Sequence, residues 1–553
     1  MPRDDHIDKP YLPNRKDFHL EKGTVMKSLM KKVFAAAAAI ATVFGLAATT
    51  VATANAADNA TLTVSTTDAK FAGKTVNAYK MFSATVSGDG KAVSYTLTDE
   101  WKPFFKNSVG LTGVTDENVN DKANDYVSKL KDSTLVAFAA KASNWAQTKA
   151  NNITADATAT VSADASNGKY TATFTGLGYG YYVVAVPGAT LANAKSQYAT
   201  LVSVHSTKVD ADIKGDLPTV DKKVQVDGTG KDATDAKIGD TLTFTLTSTI
   251  PDMSAYDTYT FNFKDTLSKG LTFGQVKSVK VENVTLTENT DYTVTTPTAS
   301  NNNTLTVAMK DFKTKQQANA GKKITVTYTA TLNENAVVGG AGNVNSAKIQ
   351  YSNNPSTNGT GESEPSKVRV FTYGFTVDKY TGDQYTDAAT RLAGAEFTLA
   401  HKDGSAISFV QVSAGSATAN AVYRVAKAGE TGTTTITTPA NGKVVFEGLK
   451  NGEYTLTETK APAGYNKLAS AIGVKVNGQN NGTDTTNATV TITYNNDNGN
   501  DYNQTASNGV IPVQNKSGAI LPGTGGMGTI AFTVIGVLVI ALGVAWTLKR
   551  KNA

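Results

Sequence analysis

Thr241-Leu-Thr-Phe-Thr-Leu246 alternates small polar and large apolar residues with a period of two. In an extended chain successive side chains point to opposite faces, so this pattern gives a strand with one buried and one wet face. Tyr170-Thr-Ala-Thr-Phe174, Ile324-Thr-Val-Thr-Tyr328 and Val490-Thr-Ile-Thr-Tyr494 repeat it. Short Thr/Val-rich strands separated by Gly, Asn and Asp turns predict a mainly β chain of tandem immunoglobulin-like sandwiches. One stretch departs from this. Residues 115–147 place Val119, Tyr126, Val127 and Leu130 at helical spacing, and a second helix is expected after Asp132-Ser133. The first domain therefore carries a helical insertion.

Polar stretches with Gly or Pro at 209–219 and 353–368 read as linkers. They divide the body into 57–213, 214–368 and 369–518. The first and third parts repeat each other. Phe174-Thr-Gly-Leu-Gly-Tyr-Gly-Tyr-Tyr-Val-Val-Ala-Val186 lies over Phe446-Glu-Gly-Leu-Lys-Asn-Gly-Glu-Tyr-Thr-Leu-Thr-Glu458. Upstream, Lys70-Phe-Ala-Gly73 lies over Arg391-Leu-Ala-Gly394, and Leu62-Thr-Val-Ser-Thr66 over Phe375-Thr-Val-Asp-Lys379.

The 553 residues include no cysteine, which excludes disulfides and thiol or iron–sulfur chemistry. The net charge of +6 sits at the ends. Residues 1–56 carry 8 basic and 5 acidic side chains and 525–553 carry 3 basic and no acidic ones, which leaves 42 of each between them. A neutral body gives no reason to expect nucleic-acid binding. Neither His205 nor His401 has a metal-ligand partner at helical spacing, and Asn495-Asn-Asp-Asn-Gly499 fails the EF-hand order. No nucleophile elbow, zincin motif or phosphate loop occurs. No cofactor, metal or turnover activity is expected.

The two ends read as addresses. From Met26, the expected start of translation, three lysines precede an apolar run that closes on Ala54-Asn55-Ala56. This is a secretory signal with cleavage between Ala56 and Ala57. Residues 529–548 are twenty residues without a charge, enough for a transmembrane helix, followed by Lys549, Arg550 and Lys551. Just before them stands Leu521-Pro522-Gly523-Thr524-Gly525. The order of motif, apolar span and basic tail in 519–553 resembles the cell-wall sorting signal of Gram-positive surface proteins. The resemblance implies that a sortase cleaves between Thr524 and Gly525 and passes the Thr carbonyl to an amine, ultimately of peptidoglycan.

Tyr454-Thr-Leu-Thr-Glu458-Thr-Lys-Ala-Pro462-Ala-Gly-Tyr465 closely resembles the E-box of pilin and collagen-adhesin (Cna) B-type domains. There a Glu promotes an amide bond between a first-strand Lys and a last-strand Asn. The resemblance makes Lys379 the amine, Glu458 the acid and Asn515, in Val510-Ile-Pro-Val-Gln-Asn515, the acceptor. The chemistry has its own logic. Burial disfavours the ammonium form and favours the neutral, nucleophilic amine, and a buried acid can take the proton and polarise the amide. Closing a loop of about a hundred residues this way could contribute roughly 4–5 kcal/mol, by the loop-entropy argument used for disulfides.

The middle domain resembles isopeptide-forming fimbrial domains (Cna A/B-type). Pro218-Thr-Val-Asp-Lys222-Lys223 matches the opening strand, and Lys222 shares a face with Val220, Val224 and Val226. Asp265 in Phe263-Lys-Asp265-Thr-Leu takes the acid's part. Asn345, Ala347, Ile349 and Tyr351 share the inner face, which favours Asn345 over Asn343 as acceptor. In the first domain Thr66 replaces the Lys and Val186 the Glu, so no such bond is expected there.

Over nearly all of 57–553 the chain resembles sortase-assembled backbone subunits of Gram-positive pili. The resemblance implies partners: a pilin-specific sortase, a housekeeping sortase, minor pilins, a host surface ligand, and copies of the chain itself. In that family the linkage lysine ends the first domain within a Tyr-Pro-Lys motif. That motif is absent here, and Lys214, with Lys208 as runner-up, occupies the matching region. The alternative is a monomeric wall-anchored adhesin.

Overall fold

The computed structural model describes residues 59–355, 357–383, 385, 390–479, 488–495, 501–518 and 527–551. The expected signal cleavage at Ala56 and Ala57 and the sorting motif Leu521, Pro522, Gly523, Thr524 and Gly525 lie outside these residues.

The body is three β-sandwiches in sequence. In the first, Ala60–Thr66 is the centre of a three-stranded sheet, antiparallel to Tyr170–Leu177 and parallel to Lys208–Asp212. It faces a five-stranded sheet built on Thr75–Val86 and Gly180–Ala185. The expected helices are present as Val119–Ser128 and Asp132–Gln147, joined by a short Lys102–Asn107 that the periodicity did not signal. They cover the outer face of the five-stranded sheet, where Phe104, Phe105 and Phe138 pack on Met81, Tyr181 and Val183. Both faces of that sheet are therefore dry. This is why Gly180–Ala185 is apolar throughout rather than alternating: every one of its residues is buried.

In the middle domain a six-stranded sheet with Asp221–Val226, Thr241–Thr249 and Lys323–Leu332 packs on a seven-stranded one with Phe261–Leu267, Asn343–Ser352 and Ser366–Phe371. In the third, Tyr373–Tyr380 lies between Lys443–Leu449 (antiparallel) and Val510–Gln514 (parallel). Gly452–Lys460 lies in the facing sheet.

The repeat is exact in register. Phe174 pairs with Leu62 as Phe446 pairs with Phe375. The Tyr182 hydroxyl donates to the carbonyl of Gly178 (2.6 Å) as Tyr454 does to Lys450 (2.7 Å). The shared glycines 176 and 448 both adopt positive φ, 73° and 84°, which a side chain would resist.

Two expectations need correction. The stretch 209–219 is a linker only in its second half. Its first half is the strand Lys208–Asp212, and Tyr198 then clamps the chain, donating to the carbonyl of Asp212 (3.1 Å) and accepting from the Lys214 N–H (2.8 Å). The stretch 353–368 is not a linker. It contains Thr360–Glu362 and opens Ser366–Phe371, both in the middle domain's sheet. The boundary drawn at 368 cuts through that strand. The middle domain ends at Phe371, and the buried Thr372, whose hydroxyl donates to the Leu449 carbonyl (3.0 Å), leads directly into the third. Polar composition misled because both segments alternate along sheet edges.

The joints are packed. The buried Gln197 of the first domain donates to the Asp252 carbonyl of the second (2.6 Å), and the Ile238 N–H of the second donates to the Gly448 carbonyl of the third (3.0 Å). Residues 527–551 form a helix whose described apolar side chains, among them Ile535, Leu542 and Trp546, are exposed. Among the described residues no helix is long and apolar enough to cross a membrane.

Candidate functional site

Two charged clusters lie inside the sandwiches, at the positions singled out by sequence. In the middle domain the alternation of Asp221–Val226 turns Lys222 inward and Lys223 outward. Lys222 is fully buried, whereas Lys223 pairs with Asp232 (2.6 Å) and Asp221 (3.3 Å) at the surface. Across the sandwich, Asp265 and Asn345 sit on adjacent strands, Asn345 opposite Leu267 in the ladder. Both are fully buried. Lys222 Nζ donates to Asp265 Oδ2 and, at 2.9 Å, to the Tyr328 hydroxyl. That hydroxyl donates to Asp265 Oδ2 (2.6 Å) and accepts from Asn345 Nδ2 (2.6 Å). The rings of Phe244 and Tyr328 flank the ammonium at 5.1 and 5.2 Å.

The strand period alone does not separate Asn345 from Asn343. Both point inward and both are buried. Their partners separate them. Asn343 is fully engaged by backbone, accepting from the Val337 N–H and donating to the carbonyls of Val337 and Val370. Asn345 Oδ1 has no partner, and neither has Asp265 Oδ1.

The third domain builds a related cluster with different wiring. Lys379 Nζ lies 3.2 Å from Glu458 Oε1 and 3.3 Å from the Val513 carbonyl. Asn515 Nδ2 donates directly to Glu458 Oε2 (3.0 Å) and to the Asn466 carbonyl (2.9 Å). The Leu468 N–H also donates to Glu458 Oε2 (2.7 Å), so the segment after the E-box closes over the site. Lys379, Glu458 and Asn515 are buried, and Asn515 Oδ1 has no partner. Here Lys and Asn belong to the same sheet, Lys379 on Tyr373–Tyr380 and Asn515 just past the end of its parallel neighbour Val510–Gln514, with the acid opposite. In the middle domain Lys and Asn come from opposite sheets, and the acid is beside the Asn.

Burial pushes both lysines down from 10.5 to about 8, against the opposing pull of Asp265 and Glu458. About a tenth of each amine is therefore neutral at pH 7, far more than for an ordinary lysine. Each cluster also leaves a buried carboxamide oxygen without a donor, which costs about 1–3 kcal/mol if nothing ever satisfies it. A carboxylate that has taken the lysine's proton becomes such a donor. A nucleophilic amine, a proton acceptor and an amide carbonyl awaiting a hydrogen bond are what amide exchange needs.

The first domain has none of these groups. Pairing of Thr63 with Asp210, against Thr376 with Val510, carries the repeat through to the last strand. It puts Thr66, Val186 and Gly215 where the third domain has Lys379, Glu458 and Asn515. Gly215 has a packing reason, since a Cβ there would stand 2.6 Å from the Tyr198 ring. Lys214 and Lys208 are both exposed, Lys214 on the backbone pinned by Tyr198 and Lys208 at the start of a sheet-edge strand.

Sequence reasoning missed Tyr328, Asn466 and Leu468. Tyr328 ends a run quoted only for its alternation. Its inward parity was legible, but its hydroxyl's position depends on the sheet opposite. Asn466 and Leu468 act through backbone atoms, which carry no sequence signal.

Two family models match the body. That for the Gram-positive pilin backbone subunit 2, Cna-B-like domain, matches residues 238–355, and that for the SpaA prealbumin-like fold domain matches 383–491. The chain is 26% identical over 279 residues to the trypsin-resistant surface T6 protein of Streptococcus pyogenes serotype M6, covering 46% of this chain and 44% of that protein. It thus spans less than half the length of that relative. Among solved structures it is similar to the T6 backbone pilin of serotype M6 S. pyogenes (18% identity, 83% of this chain and 99% of that one, TM-score 0.44). It is also similar to the full-length major pilin SpaD of Corynebacterium diphtheriae (19%, 83% and 98%, TM-score 0.39).

Proposed function

We propose that this chain, whose body carries Gram-positive pilin-backbone domains, is the structural backbone subunit of a covalently polymerised, wall-anchored surface pilus. Its second and third domains seal themselves once, by Lys222–Asn345 and Lys379–Asn515 amide bonds, and it turns over no substrate. The observation that carries this reading is the pair of buried Lys/acid/Asn clusters, each with a depressed amine and an unsatisfied carboxamide oxygen. A subunit under tension in a fibre gains from a bond that joins distant strands and needs no oxidising machinery.

Polymerisation follows from the two ends. A pilin-specific sortase cleaves after Thr524 and transfers its carbonyl to Lys214 of the next copy. A housekeeping sortase attaches the last subunit to peptidoglycan. Head-to-tail joining is a heterologous contact that does not close, so it yields a fibre. The exposed side chain and fixed backbone of Lys214 suit an acceptor that an enzyme must find repeatedly. Adhesion to a host surface and association with minor pilins are the expected uses. The missing Tyr-Pro-Lys motif favours the second reading, a wall-anchored adhesin that stays monomeric.

Electrophoresis of surface extracts separates the two: a ladder of multimers supports the pilus, and a single band contradicts it. Lys214→Arg keeps the charge and removes the attacking amine. It is expected to abolish the ladder while wall anchoring persists. An unchanged ladder excludes Lys214, and Lys208→Arg then tests the alternative.

The depressed lysines predict a pH dependence for chains that cannot close the bond. In Asn515→Ala, Lys379 stays free, with a folded pKa of about 8 against 10.5 unfolded. The unfolded state then binds more protons between these values, so stability rises with pH across that window. The gain approaches about 3 kcal/mol by pH 10.5. In the wild type the nitrogen is an amide and does not titrate. Urea unfolding at pH 7.5 and 10 is expected to show the stability gap between variant and wild type narrowing at the higher pH. A gap that is constant or widens would contradict the assignment.

A further inference from the structure

We infer that Tyr328 is a catalytic residue of the middle domain's bond-forming reaction, carrying a proton between Lys222 and the departing amide nitrogen of Asn345. The inference rests on the proposed Lys222–Asn345 bond. One hydroxyl touches every group that must exchange protons: the nucleophile Lys222 Nζ (2.9 Å), the acid Asp265 Oδ2 (2.6 Å) and the leaving group Asn345 Nδ2 (2.6 Å). Asn345 Nδ2 meets this hydroxyl and not the carboxylate. Among the described residues of the third domain no such hydroxyl meets these groups, and none is needed, because Asn515 Nδ2 reaches Glu458 Oε2 directly at 3.0 Å. The two sites differ in which sheets supply the groups, and the middle domain's acid is also one methylene shorter. Aspartate is shorter than glutamate, and the tyrosine hydroxyl fills the gap.

The step balances as follows. Lys222 gives one proton to Asp265, and its neutral amine attacks Asn345 Cγ, so a Cγ–Nζ bond forms. The attacking nitrogen now carries two protons and a positive charge. Tyr328 passes its hydroxyl proton to Nδ2 and takes one from Nζ. The Cγ–Nδ2 bond breaks and Nδ2 leaves with three protons as ammonia. Asp265 remains protonated and can donate that proton to the new amide oxygen. Tyr328 ends as it began. It is well placed to stay protonated, since burial and the neighbouring Asp265 carboxylate both raise its pKa well above 10. Phe244, stacked on it at 5.3 Å, and the strands on either side hold the ring still.

The test is a time course of cross-linking by peptide mapping of the full chain, made in a host without sortase and refolded from denaturant after freshly arrested synthesis. Tyr328→Phe keeps the ring and its packing. It is expected to slow the Lys222–Asn345 bond by about a hundredfold or more, within the range for lost acid–base catalysis, while the Lys379–Asn515 bond forms at the wild-type rate. Adding Asp265→Glu to Tyr328→Phe supplies the missing methylene and is expected to restore much of the rate, which a variant defective only in packing would not allow. A Tyr328→Phe chain that closes the middle-domain bond at the wild-type rate overturns the proposal, as does a double variant no faster than the single. A wild-type chain with no Lys222–Asn345 peptide would instead overturn the underlying reading of the site, and is told apart by the wild-type map alone.

Discussion

Glu458→Ala is expected to leave the third domain uncross-linked and several kcal/mol less stable, with the middle domain untouched. Without the carboxylate, Lys379 keeps, among the described residues, only the Val513 carbonyl as a hydrogen-bond partner, and Asn515 Nδ2 only the Asn466 carbonyl. Nothing takes the amine's proton and nothing donates to Asn515 Oδ1, so the bond does not form. The lost constraint on the unfolded chain is worth roughly 4–5 kcal/mol. For a domain of this size that corresponds to a fall in melting temperature on the order of 10–20 °C. Calorimetry is expected to show one transition moved and the others in place, and the intact mass is expected to show one ammonia lost, rather than two, relative to the mass calculated for the variant sequence. Asp265→Ala is the mirror experiment in the middle domain. A variant that still closes its bond would show that the acid is not required.

The first domain is expected to melt and to be cut by trypsin before the other two. Its counterparts of the reacting trio are Thr66, Val186 and Gly215, so no amide cross-link joins its first and last strands. Lys129, Lys131 and Lys141, in and beside its helices, are exposed. Exposed surface segments are where nicking concentrates. The Tyr198 clamp holds the 212–214 backbone, so cleavage after Lys208 or Lys214 should follow the opening of this domain rather than precede it. Limited digestion should then leave a resistant fragment beginning at that joint. Early cuts within 222–345 or 379–515, with the first domain intact, would contradict this.

The parts of the fold legible in sequence were those ruled by local periodicity. Thr241–Thr249 and Asn343–Ser352 alternate because one face of each is dry, and the helices over 119–147 keep their apolar spacing because they cover a sheet. The domain joints were misread because Lys208–Asp212 and Thr360–Glu362 are polar strands at sheet edges, indistinguishable by composition from linkers. The Lys/acid/Asn trios were legible through the resemblance of their strands to isopeptide-forming pilin domains; by pattern alone Lys379 and Glu458 read equally well as a solvated surface pair. Their wiring was not. Whether Lys and Asn share a sheet, as in the third domain, or face each other across the sandwich, as in the second, depends on strand order. The place of Tyr328 between Asp265 and Asn345 depends on how two sheets stack, which no single strand encodes.

The central claim is that the second and third domains each close an amide bond unaided. Intact-mass measurement and peptide mapping of residues 57–518, produced without any sortase, test it most directly. Loss of two ammonia molecules, with one linked peptide pair containing Lys222 and Asn345 and another containing Lys379 and Asn515, is the expected result. A mass equal to that of the unmodified sequence, with all four residues recovered in unlinked peptides, would contradict it.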